Sequence, residues 1–192
     1  FTFGDGDDGQ LGHGGTEHEP VPGLVEALAG KKVIGAAAGG YHTAVWTEAG
    51  ELFTFGYGAH GRLGHGGQEN ELVPRLVEAL VGKKAAGASA GSQHTAVWTE
   101  AGELFTFGYG AHGRLGHGSG GTQSELVPRL VEALVGKKAA GASTGAAAVG
   151  SHTAVWTEAG ELFTFGYGHF GRLGHGGQEN ELVPRLVEAL ES

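Results

Sequence analysis

The sequence contains neither cysteine nor methionine. Without cysteine there are no disulfide frameworks, no thiolate zinc sites and no cysteine nucleophiles, and the expected compartment is a reducing intracellular one, the cytoplasm in the first instance. Without methionine, and with Phe1 at the start, the residues are expected to form part of a longer chain. Basic residues are scarce, with 12 Lys and Arg against 21 Asp and Glu, a formal charge of −9. That balance gives no counterion-release drive toward nucleic acid and no pull toward anionic lipid; it favours a protein partner with a basic surface. No apolar run approaches the ~18 residues a membrane helix needs, and no signal-peptide pattern is present, so no membrane partner is expected.

Glycine is abundant instead, at 40 of 192 residues, without the Gly-X-Y period of collagen. The backbone must therefore turn often. Hydrophobic residues at 40% and aromatics at 8% suffice for a packed core and exclude a generally disordered chain.

The chain repeats itself. FTFG begins at Phe1, Phe53, Phe105 and Phe163, in steps of 52, 52 and 58. This divides the chain into repeats 1–52, 53–104 and 105–162 and a half repeat 163–192. The longer third step comes from two insertions, His117 to Glu125 and Ser143 to His152, both between periodic segments where loops tolerate extra length. Each period reads as short runs of Phe, Val, Thr and Trp separated by Gly, Pro or Asn, which predicts strands. The segment after Pro74, Pro128 and Pro184 could be drawn as a helical turn, but its closure at Gly82 and Gly136 favours strand or irregular structure. Four short strands per period of about 50 residues match a propeller blade and no helical or leucine-rich repeat. The predicted fold is all-β, a β-propeller of four-stranded antiparallel blades with about three and a half blades present. The nearly side-chain-free runs Ala85–Ala90 and Ala139–Ser143 suit an innermost strand, and Phe53, Phe55 and Trp98 suit the wider space between blades farther out.

The string from Gly56 to Gly66, GYGAHGRLGHG, the proline nine positions after His65, the small run ending in glycine and the string HTAVWTEAGEL together resemble the repeat of the regulator of chromosome condensation family. The resemblance covers nearly the whole chain and implies a seven-bladed propeller. Phe3, Phe55, Phe107 and Phe165 stand where that family often has tryptophan before the glycine of the first strand. Its members include an exchange factor for a nuclear GTPase, a plant ultraviolet-B photoreceptor and modules of ubiquitin ligases, so the resemblance fixes a fold and leaves the function open. The photoreceptor's Gly-Trp-Arg-His-Thr loop is absent, because the matching loops read Gly39-Gly40-Tyr41-His42-Thr43 and Gly91-Ser92-Gln93-His94-Thr95.

No catalytic constellation emerges. The pairs His60/His65, His112/His117 and His169/His175 recur a blade apart and lack converging ligands, so no metal and no cofactor is expected. Asp5-Gly6-Asp7-Asp8-Gly9 has the charge of a calcium loop without EF-hand spacing and is read as an Asx-type turn. Ser92 and Ser151 sit near His94 and His152 without a nucleophile elbow. What repeats is surface charge. Arg62, Arg114 and Arg172, with His60 and His112 beside them, are expected to line one rim; Arg75, Arg129 and Arg185 form a second row and three Lys-Lys pairs a third. The bland alternative is that each arginine pairs with a glutamate of its own blade. The expected role is a non-catalytic protein-interaction scaffold, with a small-GTPase exchange factor or the propeller module of a larger ubiquitin ligase as the alternatives. The ring is expected to be completed by the remainder of a longer chain, or less readily by a second copy.

Overall fold

The computed structural model describes residues 1–118, 123–145 and 152–190. Parts of both insertions, and Ser151, lie outside the described residues.

Among the described residues there are fourteen strands in four antiparallel sheets. Strands β1 (Thr2–Gly4) and β2 (Glu19–Gly23) form a two-stranded half-blade. Three complete blades follow. The first is β3 (Val33–Ala38), β4 (His42–Thr47), β5 (Leu52–Gly56) and β6 (Glu71–Leu76). The second is β7 (Ala85–Ala90), β8 (His94–Thr99), β9 (Leu104–Gly108) and β10 (Glu125–Leu130), and the third is β11 (Ala139–Thr144), β12 (His152–Thr157), β13 (Leu162–Gly166) and β14 (Glu181–Leu186). Helix is confined to single 3₁₀ turns such as Glu78–Leu80, so the segment opened by Pro74 is strand followed by one such turn. Among the described residues, no helix is long and apolar enough to cross a membrane.

FTFG falls on the third strand of each blade. A sequence period therefore joins the outer half of one blade to the inner half of the next.

The innermost strands β3, β7 and β11 pack on their neighbours of the adjacent blade. Their small residues allow this approach, since Ala85, Ala88, Ala139 and Ala142 are buried there. The apolar core lies between blades rather than within them. Leu52, Val77 and Leu80 of the first blade close on Ala85, Val97, Phe105 and Phe107 of the second, and Leu104, Val131 and Leu134 repeat the contact against Val155, Phe163 and Phe165. The half-blade shows the cost of a missing neighbour. Phe55 is 0% exposed while its counterpart Phe3 is 64% exposed, because β1 pairs with β2 alone and, among the described residues, no blade precedes it to cover its face. A cleft of about 550 Å³ opens there, lined by Phe1, Leu24, Leu28, Val33 and Phe55 among others.

One cross-strand pair recurs in each blade: Gly35 faces Trp46, Gly87 faces Trp98 and Gly141 faces Trp156. The indole lies on the bare backbone of the glycine, where an added Cβ would overlap the six-membered ring. The three indoles line up across the blades at 6.5 Å spacings and are half-buried or exposed, packing on glycine and on one another, with Trp46 and Trp98 also against the inter-blade core.

Gly87→Ala is expected to destabilise the protein by about 1–3 kcal/mol in urea unfolding, and most of that loss should vanish in a Trp98→Ala background. Equal losses in both backgrounds would show that the indole is not what the methyl group strikes.

Candidate protein-interaction face

Strand register sorts the loops onto two ends of the blades. Gly56 pairs with His42 and Glu71, so the loops 39–41 and 57–70 share one end, called here the top. Trp46 pairs with Leu52, so the turn 48–51 and the Lys-Lys pairs lie at the other end.

The sequence reading placed Arg62 and Arg114 on an exposed charged rim, and the structure corrects this. They are 2% and 1% exposed. Arg62 Nε donates to the Ala59 carbonyl at 2.9 Å and its terminal NH to the Ser92 carbonyl of the next blade. Arg114 Nε donates likewise to Ala111, and its terminal NH to Gln93 Oε1, each at 2.9 Å. A planar guanidinium with fixed donors fits such carbonyls where a lysine could not. Each guanidinium also lies against a tyrosine ring, Arg62 at 4.7 Å from Tyr57 and Arg114 at 4.9 Å from Tyr109. Arg172 is half-buried, donates to the His169 carbonyl at 2.8 Å and lies 4.9 Å from Tyr167. Burial holds the Arg62 and Arg114 guanidinium groups below the ordinary arginine value, yet both remain charged.

The second and third rows follow the bland alternative. Arg75, Arg129 and Arg185 each pair with the glutamate four residues earlier on the same strand. The Lys-Lys pairs meet the turn glutamates, as in Lys31–Glu51 and Lys32–Glu48.

The histidine pairs divide into separate jobs. His65, His117 and His175 meet Thr54, Thr106 and Thr164, each at 2.9 Å. Each threonine hydroxyl already donates to a leucine carbonyl, so the histidine Nε2 must donate to the threonine oxygen. His60 stacks instead on Tyr109 and His112 on Tyr167, at 4.4 and 4.9 Å. Both adopt left-handed backbone, with φ of 63° and 62°, which aims the ring at the following blade. Among the described residues, the one group able to hold a metal is Asp5, Asp7 and His18. Its atoms are engaged in a local turn, where Asp5 Oδ1 accepts from the Asp7 N–H and His18 Nδ1 from the Gly6 N–H. Ser92 gives its carbonyl to Arg62, while His94 Nε2 engages Thr153.

Sequence reasoning missed two features. The first is the tyrosines. Tyr41 and Tyr57 meet edge to face at 6.2 Å and stay 43% and 38% exposed, and Tyr109 and Tyr167 are half-buried on the same end. A signal was present, since the first repeat loses tyrosine and arginine together, with Asp5 for Tyr57 and Gln10 for Arg62. The second is an inter-blade relay. Fully buried His42 Nε2 donates to Thr95 Oγ1 of the next blade at 2.8 Å, and that hydroxyl donates back to the Arg62 carbonyl at 2.8 Å. His94, Thr153 and Arg114 repeat it. Burial, then the nearby arginine, pushes both histidines down to about 3.

These features define a β-propeller whose top loops are clamped from beneath and display tyrosine and histidine rings to solvent. The regulator of chromosome condensation repeat model matches residues 1–46, 49–98, 101–156 and 159–192, and the chain belongs to that repeat family. It is 36% identical to human E3 ubiquitin-protein ligase HERC2 over 193 residues, all of this chain but 4% of that protein. It is 36% identical to the Ultraviolet-B receptor UVR8 of Arabidopsis thaliana over 187 residues, 97% of this chain and 41% of the receptor. The chain thus spans well under half the length of these relatives. Among solved structures, human WBSCR16 superposes with a TM-score of 0.81 at 26% identity over 96% of this chain and 46% of that one. Prp20p of Saccharomyces cerevisiae superposes with a TM-score of 0.77 at 17% identity, covering 99% of this chain and 46% of that one, and so shares the fold alone.

Two predictions follow from the buried groups. His42 and His94 stay neutral in the fold down to about 3, whereas an unfolded histidine titrates near 6.5. The unfolded state therefore binds more protons between these values, so stability is intact above pH 6.5 and falls below it, on the order of 1 kcal/mol per histidine per pH unit. The double variant His42→Gln, His94→Gln should show a flatter melting profile from pH 7 to pH 4; an unchanged slope would contradict the relay. Arg114→Lys should cost about 2 kcal/mol in urea unfolding, while Arg75→Ala should cost under about 1 kcal/mol. Equal losses would contradict the assignment of one arginine to a buried, hydrogen-bonded site and the other to the surface.

Proposed function

We propose that this chain is a non-catalytic protein-interaction scaffold whose binding face is the top of the blades. The observation that carries the reading is the repeated display there of exposed rings on loops fixed by buried arginines. Rigid aromatic side chains supply contact area at low entropic cost, which is what interface anchors need. The candidate rim is accordingly reassigned. Arg62, Arg114 and Arg172 support it from beneath, His60 and His112 belong to its surface together with the tyrosines, and Arg75, Arg129 and Arg185 lie outside it. A net charge of −9 argues against nucleic acid as the direct ligand.

Two alternatives keep distinct tests. Similarity to HERC2 across the whole chain supports the propeller module of a larger ubiquitin ligase, with catalysis located elsewhere in that protein. The exchange-factor reading is separated by nucleotide release from a panel of small GTPases; stimulation above the intrinsic rate would favour it.

For the ring, we infer completion by the remainder of a longer chain. Two copies of these residues do not complement one another, because each half-blade, β1–β2, corresponds to the outer strands β5–β6 of a full blade and lacks the inner pair. Joining them would bring two outer halves and no inner strands.

A photo-crosslinking benzoylphenylalanine at position 57 should capture a protein from the native source that the same group at position 83, on the opposite end, does not. Labelling at 83 alone, or equal labelling at both, would overturn the choice of face.

A further inference from the structure

The two ends of the blades differ in how their charges are met. All six lysines, at the bottom, are paired with the turn glutamates. Three further arginines pair with strand glutamates. Among the described residues, nine lysines and arginines are thereby matched one to one with nine carboxylates, while Arg62 and Arg114 are held by carbonyl oxygens instead. The guanidinium groups of Arg62, Arg114 and Arg172 lie against the tyrosine rings named above.

Asp5, Asp7, Asp8, Glu17, Glu69 and Glu179 belong to the top loops, and among the described residues none of them forms an ion pair with lysine or arginine. Only His18 approaches Asp5 and Asp7, at 3.4 and 3.8 Å. Asp8 is held above the ordinary carboxylate range by burial and by repulsion from Asp5 and Asp7, against a smaller pull from Arg62. The remaining unmatched glutamates of the described residues include those of the 3₁₀ turns, Glu26, Glu78, Glu132 and Glu188, which lie at the bottom.

At the top, the exposed Tyr41–Tyr57 pair and unmatched carboxylates lie on the same end of the blades. The first-repeat loop carries three aspartates where the next two loops carry tyrosine, alanine and histidine; the Gln10 carbonyl that follows them accepts from Thr43, two residues from Tyr41, and Asp8 feels the charge of Arg62, which lies against both Tyr41 and Tyr57. A flat π surface flanked by carboxylates is the environment that holds a guanidinium or ammonium group of a partner. The buried Arg62 does not forbid this. It lies 4.7 Å below the Tyr57 ring, so a cation on the outer face would sit about 9 Å away, and the Asp8 carboxylate already offsets part of its charge.

Resting on the proposed binding face, we propose that its partner presents an arginine- or lysine-rich segment, which docks across Tyr41 and Tyr57 between the aspartates of the first loop and Glu69. The test titrates the intact protein with three labelled synthetic peptides of equal length, alternating glycine with arginine, glutamate or proline. The arginine peptide should bind, and the glutamate and proline peptides should not. Tyr41→Leu with Tyr57→Leu should weaken arginine-peptide binding by about three- to fivefold per ring. Asp5→Asn with Asp7→Asn keeps the Asx turn through the amide oxygen, and should weaken binding comparably while flattening its salt dependence. Glu78→Gln with Glu132→Gln, at the bottom, should leave binding unchanged.

Equal losses from the bottom pair would reduce the effect to the overall negative charge and overturn the docking site. Preferential binding of the proline or glutamate peptide would overturn the partner class, as would absence of arginine-peptide binding. If crosslinking at position 57 still captured a protein without a basic segment, the binding face would stand and only the partner class would fall.

Discussion

The structure depends on the seam between consecutive blades. A blade of this chain has no private core: its phenylalanines are covered by leucine and valine of the blade before it, and Phe3 lies bare where that cover is absent. Apolar packing of this kind is nondirectional and would tolerate slippage between sheets. Direction comes from the hydrogen bonds at the top, where a neutral histidine, a threonine of the next blade and an arginine carbonyl close a short relay. The arginine whose carbonyl is used also reaches forward to the Ser92 carbonyl. One loop therefore fixes the angle between two sheets twice over, with a buried charge satisfied by carbonyls and a ring.

This arrangement links stability to display. The top loops could be floppy glycine-rich connections, and the positive φ of His60 would be costly in a free peptide. Clamped beneath by arginine, the same loops hold tyrosine and histidine rings at fixed positions from blade to blade. A rigid ring loses little entropy when a partner covers it, so the residues that brace the fold also prepare the face. Where the first repeat drops the tyrosine, it drops the arginine too, as expected if the two act as one unit.

The architecture was legible in the sequence because repetition and turn residues report on backbone geometry directly. FTFG, the alanine-rich inner strand and the punctuation by glycine predicted four-stranded blades and their number. The fate of the arginines was not legible. Arg62 and Arg75 are chemically identical, and only the tertiary position of carbonyl acceptors sends one inward and leaves the other on a strand beside a glutamate. The relay was hidden for the same reason, since His42 and Thr95 are 53 residues apart in sequence and meet only across a seam. Trp98 was expected in the space between blades, and it does pack against the inter-blade core; that each tryptophan also rests on the bare backbone of a glycine in its own sheet is a register that periodicity alone does not reveal.

The central claim is that His42 and His94 hold the seam as neutral imidazoles protonated at Nε2. Nitrogen-15 spectra of the intact protein at pH 5 test it most directly. The account predicts both rings neutral at that pH, with the proton on Nε2. Imidazolium at pH 5, or a proton on Nδ1, would contradict it.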